Sequence, residues 1–455
     1  MLETSPATTA GATALRSAFF PAINDDLPTI VRGEGIYLYD DAGRRFIDAA
    51  GGVGCVTAIG HGVPEVVDAV AAQMQTLAFL PWTQFQSPRV HEFTDRIAQI
   101  TPGDLNHVAV FNSGSEVTEG AVKLARQYWL ASERPEKFLV ISRWQGFHGM
   151  TLGAAGFGGH TGRRRKYAPM LHDMPKIPPA YPYRCADCAA GSLRCADELE
   201  RTIRWHGPEN VACFIAEPVV GATMGGVPAP AGYFQRIREI CDRYDVLFIA
   251  DEVMTGFGRT GRWFAVEHWD VVPDILVAAK GASGGYAPLA VLAASEKIVR
   301  ALRAQGTPFV AGHTYSQNPV VAAAGLAVLD YIQRHQLVQA AAERGADLAR
   351  GLTRLKQTHP ILGDVRGIGL LQGVELVRDQ WSREPFAAEA GIASRFARAC
   401  VAEGAAVYPG QGGADGLLGD HALVTPPLTI TSAQVEELVD AIDRGLASVE
   451  RTLSP

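Results

Sequence analysis

The chain has 455 residues, 47% of them hydrophobic and 20% charged, with Lys plus Arg 41 against Asp plus Glu 48. A net charge of −7 without charge blocks, on so apolar a chain, excludes disorder and leaves no basic field for nucleic acid. Seven Cys at irregular spacing exclude a secreted disulfide framework, and no apolar run reaches the about 18 residues that a membrane span requires.

The opening, Met1 to about Ala18, is rich in Thr, Ala and Ser and is expected to fray. It holds no apolar core before a small-residue cleavage site, so it does not read as a signal peptide, and a cytoplasmic globular protein is expected. Gly35 to Asp48 reads as two short strands around an Asp40-Asp41-Ala42-Gly43 turn. Helical spacing follows from Pro64 to Leu77. Short apolar runs then recur at His107–Phe111, Phe138–Ser142, Val211–Ala216, Val246–Ala250, Asp274–Ala279 and Leu289–Ala294. Most alternate with amphipathic stretches such as Glu116–Trp129 and Ala231–Tyr244, the pattern of a mostly parallel sheet buried by helices on both faces. Helices are expected over Val321–Arg334, Leu337–Gln357 and Ser432–Leu453, with strands at Gly369–Val377 and Ala405–Tyr408. The organisation expected is an N-terminal segment (1–65) that joins a smaller C-terminal α+β domain (326–455), around a large α/β domain (66–325).

Three short segments carry chemistry. Asn112-Ser113-Gly114-Ser115-Glu116 follows a strand and opens a helix. Ser113 and Glu116 have capping-box spacing, and small residues at a helix N-terminus make a seat for phosphate. Asp251 and Glu252 follow a buried strand, at the carboxyl edge where α/β proteins bind ligands. Lys280 ends the next buried run with no carboxylate beside it in sequence, and desolvation of such an amine makes it a nucleophile. A phosphate seat, a buried Asp and a strand-end Lys 29 residues later are what pyridoxal 5′-phosphate requires.

Six spaced motifs extend this reading: Phe111–Arg126, Phe147-His148-Gly149, Ala216–Val219, Asp251–Gly261, Pro273–Lys280 and His313–Pro319. In that order they resemble the class III (omega) aminotransferases. The resemblance runs from about Gly35 to the C-terminus. It implies the type I pyridoxal-phosphate transferase fold, and a homodimer with active sites shared between subunits. It also implies transfer of an amino group from an amine donor to a 2-oxo acid, with Lys280 as Schiff-base lysine and proton shuttle. By the same resemblance Asp251 partners the pyridine nitrogen, Val253 packs behind the ring and Phe147 stacks on it. Ser113, Gly114 and Ser115 form the phosphate loop, His148 joins the cofactor-binding residues, Glu217 stands at the cofactor's edge, and Thr314 reaches the phosphate in the neighbouring subunit. A same-fold decarboxylase, racemase or aminomutase would reuse every one of these residues. A non-catalytic descendant would most easily have lost Lys280, and a nicotinamide dehydrogenase would need a Gly-x-Gly-x-x-Gly turn that opens no helix here.

The chain departs from the family at the acceptor side. Relatives that use 2-oxoglutarate carry an Arg three residues before a Pro-Pro-Leu, where this chain has Leu423. Pyruvate-using relatives carry a mobile Arg slightly upstream, where this chain reads Val407-Tyr408-Pro409-Gly410, followed by a Gly-rich insertion from Gln411 to Gly419. Pyruvate is therefore the expected acceptor, and Glu217 is expected to be left without its usual cationic partner. Arg366 matches a motif whose usual role is structural. Arg163-Arg164-Arg165-Lys166 reads first as a solvated loop and second as a rim for acidic substrates, and glycines at 51–54 suggest a roomy donor pocket. Cys185, Cys188 and Cys195 lack the second pair of a zinc site, so no metal is expected.

Overall fold

The computed structural model describes residues 27–453, so the opening stretch expected to fray lies outside the described residues. Strands β1 (Ile30–Glu34), β2 (Tyr37–Asp40) and β3 (Arg45–Ile47) form a small antiparallel sheet, with the Asp40–Gly43 turn where the sequence places it. Helices α1 (Pro64–Thr76) and α2 (Pro88–Ile100) follow, each with proline in its first turn, where its missing N–H costs no hydrogen bond.

The central sheet has seven strands: β4 (His107–Phe111), β5 (Leu139–Arg143), β6 (Lys176–Ile177), β7 (Val211–Ala216), β8 (Leu247–Asp251), β9 (Ile275–Ala278) and β10 (Ala290–Ala294), in the spatial order β4-β10-β9-β8-β7-β5-β6. Only β10 runs antiparallel to its neighbours. Successive residues of each inner strand enter two separate cores. Phe214, Phe248 and Leu276 face helices α4 (Arg194–His206) and α5 (Tyr233–Tyr244), whereas Ile215, Ile249 and Val277 face α3 (Gly114–Ala131). That is why these runs read as continuously apolar: a strand covered on both faces has no polar side to alternate.

Helices α6 (Pro319–Arg334) and α7 (Leu337–Thr358) lead to a second sheet of β11 (Leu362–Ile368), β12 (Leu371–Leu376), β13 (Tyr408–Gln411) and β14 (Asp420–Val424), ordered β11-β12-β14-β13. Two of these strands were not expected from the sequence. Leu362–Ile368 hides its alternation behind Gly363, Asp364 and Gly367, and β14 follows the Gly-rich insertion yet is buried throughout between two partners. The strand expected at Ala405–Tyr408 lies three residues later, and Ala405 instead makes an isolated bridge to Ile47. The N-terminal segment is thereby stitched to the C-terminal part: the Ile47 N–H donates to the Gly404 carbonyl at 2.8 Å and the Thr425 N–H to the Ala49 carbonyl at 2.7 Å. Among the described residues no helix is long and apolar enough to cross a membrane.

Helices α8 (Ile392–Ala402) and α9 (Ser432–Arg451) close this region. The end of α7 is fastened to α9 by His359, whose Nε2 lies 2.7 Å from Asp443 and whose Nδ1 lies 2.9 Å from Glu450. Burial opposes charge on this imidazole, but the two carboxylates outweigh it and raise its pKa above the usual histidine value. The added stability is full below the unfolded pKa and is lost as pH rises through the folded one. His359→Gln will therefore lower the melting temperature more at pH 5.5 than at pH 8.5. Equal losses at both values would mean that the clamp is neutral.

Candidate active site

The carboxyl ends of β4, β8 and β9 deliver three groups to one place. After β4, Ser113 is held extended (φ −149°, ψ 160°) and caps α3, its hydroxyl accepting the Glu116 N–H at 3.3 Å. The Glu116 carboxylate reaches back to the Asn112 N–H (3.2 Å) rather than to that of Ser113, so the expected box closes one residue early. Ser115 Oγ accepts the Met150 N–H at 3.1 Å, and Thr118 donates to the His148 carbonyl at 2.6 Å. The first turns of α3 thus pin the Phe147–Met150 loop. Gly149, with φ +136°, is required there, because a Cβ would stand 2.5 Å from Ser115 Oγ.

Asp251 ends β8 and is 2% exposed. Its Oδ2 lies 2.7 Å from His148 Nδ1 and its Oδ1 accepts the Val253 N–H at 3.0 Å. Among the described residues Nε2 of the buried His148 has no hydrogen-bond partner. Lys280 follows β9 with φ +46°, the left-handed region that non-glycine residues seldom occupy outside functional sites. Burial holds its amine well below the usual lysine pKa, opposed by the charges of Cys55, Asp251 and Glu217.

Eight of the residues singled out from the sequence line one cavity of about 300 Å³: Ser113, Gly114, Ser115, Phe147, His148, Asp251, Val253 and Lys280. Glu217 lies just behind it, its carboxylate accepting the Phe147 N–H at 2.8 Å and the Gly221 N–H at 3.1 Å. Burial raises its pKa. Two backbone N–H groups thus hold this carboxylate, and among the described residues no Lys or Arg side chain pairs with it. Thr314 does not line the cavity of its own chain. It is exposed in a neighbouring depression with Glu116 and His313, and its carbonyl accepts the Trp82 indole N–H at 3.2 Å.

At Gly51 a Cβ would meet the Thr425 carbonyl oxygen at 2.5 Å, so close approach demands glycine there before any question of pocket size. Sequence reasoning missed Asp48, whose carboxylate accepts the Gly52 N–H (2.9 Å) and the Thr57 hydroxyl (2.6 Å) and so fixes the glycine loop beside Val56 at the cavity. It also missed the environment of Arg163, which lies over the Phe147 ring. Leu423 is buried in β14 and carries no charge to the site. Arg366 is committed to the Gly225 and Met224 carbonyls and to Asp364 and Glu375, the structural role expected of it. Cys188 and Cys195 pack sulfur to sulfur at 3.3 Å in the protein interior.

The family model for Aminotransferase class-III matches residues 22–446. An uncharacterized aminotransferase of Bacillus subtilis, YodT, is 38% identical over 95% of this chain and 98% of its own. The putrescine–pyruvate aminotransferase of Pseudomonas aeruginosa is 34% identical over 90% of this chain and 88% of its own. Among solved structures, a thermostable (S)-enantioselective omega-transaminase from Thermomicrobium roseum superposes with a TM-score of 0.86, at 35% identity and 93% coverage of both chains.

Proposed function

The chain belongs to the class III aminotransferase family, and from that premise we propose that it moves an amino group from a primary amine or ω-amino acid to pyruvate, with pyridoxal 5′-phosphate as cofactor. The observation that carries this reading is the convergence of Lys280, Asp251 and the Ser113–Ser115 turn on one cavity. The donor set fits the group: an amine of depressed pKa for its aldehyde, a buried carboxylate for its ring nitrogen, and a capped helix N-terminus for its phosphate. When bound, pyridoxal phosphate supplies a carbonyl for amines and an electron-withdrawing ring that stabilises the negative charge left by proton removal.

The protein does the rest. Nζ of Lys280 would hold the cofactor through its aldehyde and, as a free amine, would take and return the donor's migrating proton. Burial, which lowers the pKa of this amine, favours its uncharged, proton-accepting form. Asp251 would keep the ring nitrogen protonated, and His148 orients that carboxylate through its Oδ2. Phe147 and Val253 cover the ring. Glu217, tied to the Phe147 N–H, positions Phe147. We assign Thr314 to the phosphate in a partner subunit of a homodimer. Its exposure and the exposed Phe85, Val310 and Tyr315 support a shared interface. The seven free thiols support a cytoplasmic location. The division into 1–65, 66–325 and 326–455 is retained with one change: α6 continues through residue 325, so the small unit begins after it.

Pyruvate is preferred because no Arg or Lys occurs from Ala405 to Pro427 and Leu423 is apolar, so a dicarboxylate would leave one charged end unpaired. The acceptor named for the Pseudomonas aeruginosa relative points the same way. In single turnovers of the pyridoxamine form, pyruvate will react about ten- to a hundredfold faster than 2-oxoglutarate. Faster conversion by 2-oxoglutarate overturns this acceptor.

A further inference from the structure

An acceptor carboxylate needs a cation, and the arginines of this region differ sharply in how accessible their donors are. Arg143 is 1% exposed and donates to the Glu217 carbonyl. Arg259 is 2% exposed and donates to the Leu370 and Pro426 carbonyls. Arg366 is enclosed by two carbonyls and two carboxylates. Arg163 is half-buried, and its guanidinium carbon stands 4.6 Å from the centroid of the Phe147 ring that lines the cavity. Its one hydrogen bond among the described residues runs to the neutral Tyr408 hydroxyl at 3.1 Å, and no carboxylate pairs with it there.

Resting on the pyruvate reading, we propose that Arg163 is the specificity-determining anchor for the acceptor's carboxylate, a fixed guanidinium set over Phe147 and steadied by Tyr408. A guanidinium has five N–H donors in a planar fork suited to one carboxylate, and most of these are unclaimed. The aromatic face below and the hydroxyl beside it fix the plane of that fork. The chain leading into and through the Gly-rich insertion builds this arrangement from both sides. Tyr408 stands on β13 where the insertion begins. Gly416, within the insertion, lies so close to the short helix Thr161–Arg164 that a Cβ would be 2.7 Å from Thr161 Oγ1. The segment that occupies the place of the relatives' mobile arginine thus holds a different arginine still. Arg163 is also close enough to bear on the Lys280 amine, whose pKa is depressed by burial first and by this neighbouring cation in lesser part.

The test compares pyruvate with a straight-chain aldehyde, which lacks the carboxylate, in single turnovers of the pyridoxamine form. In Arg163→Gln the selectivity for pyruvate over the aldehyde will fall about ten- to a hundredfold, chiefly through weaker pyruvate binding. Arg163→Lys, a point charge without the fork, will recover part of it. Calorimetric titration of the pyridoxal form with propanoate will show the same loss of affinity. A ratio unchanged because both reactions fall together, or undiminished propanoate binding, overturns the proposal and makes Arg163 structural. Wild-type protein whose pyridoxamine form reacts with neither compound is a different result: it overturns the transaminase reading on which the proposal rests.

Discussion

Lys280→Ala protein will bind pyridoxal phosphate without covalent capture, and borohydride, which fixes the cofactor to the wild-type chain, will fix none to the variant. Turnover will fall by about 10⁴- to 10⁶-fold, the scale seen when a covalent nucleophile is removed from a site that otherwise keeps its binding groups. The fold will survive, because alanine meets the same φ of +46° that lysine tolerates and the cavity is polar enough to take water. The same variant tests the shared site. Each Lys280→Ala subunit keeps an intact Thr314, and each Thr314→Ala subunit keeps an intact lysine, so mixing the two will restore one complete site per hybrid dimer. Turnover by Lys280→Ala at the wild-type rate refutes the lysine's role, and no recovery on subunit exchange refutes the assignment of Thr314.

Asp251→Asn will slow the amine half-reaction by about three decades, or ~4 kcal/mol of transition-state stabilisation. The asparagine fills the same space and can still accept the Val253 N–H, but it cannot keep a positive charge on the ring nitrogen. Cofactor will still be retained through the turn at Ser113–Ser115, so visible absorption of the purified variant separates loss of binding from loss of chemistry. Near-normal half-reaction rates in the variant would show that the ring nitrogen is not its partner. His148, whose Nδ1 lies 2.7 Å from the same carboxylate, makes the substitution informative beyond charge: an amide presenting NH₂ to it would turn the imidazole as well.

The parts legible in the sequence were those where one residue type has one reason to be there. Val211–Ala216 was read to the residue because a strand buried on both faces carries no polar position to blur its ends. Asp251 and Lys280 stood out because a charge at the end of such a strand is costly unless it serves something. Arg163 was hidden for the opposite reason. It sits in a run of four cations, of which Arg165 and Lys166 are exposed as the sequence suggests, and only the folded chain brings Phe147 beneath it and Tyr408, 245 positions away, beside it. Asp48 was equally invisible, since its partners, the Gly52 N–H, the Thr57 hydroxyl and the His61 imidazole, carry no sequence signal that points back to it. Strands β11 and β14 were missed where glycines and a Gly-rich insertion interrupt the period that reveals a strand.

The stitch between Ala49 and Thr425 also sets a timetable for biosynthesis. A ribosome adding about 5–20 residues per second takes roughly 20–75 s to travel from one of these residues to the other. Throughout that interval the central sheet can assemble from contacts already made, while the glycine loop at residues 51–54 waits for a strand not yet synthesised. Lys280 and Asp251 emerge well before that strand, so a nascent chain can display the amine and the carboxylate while the wall beside them is still absent.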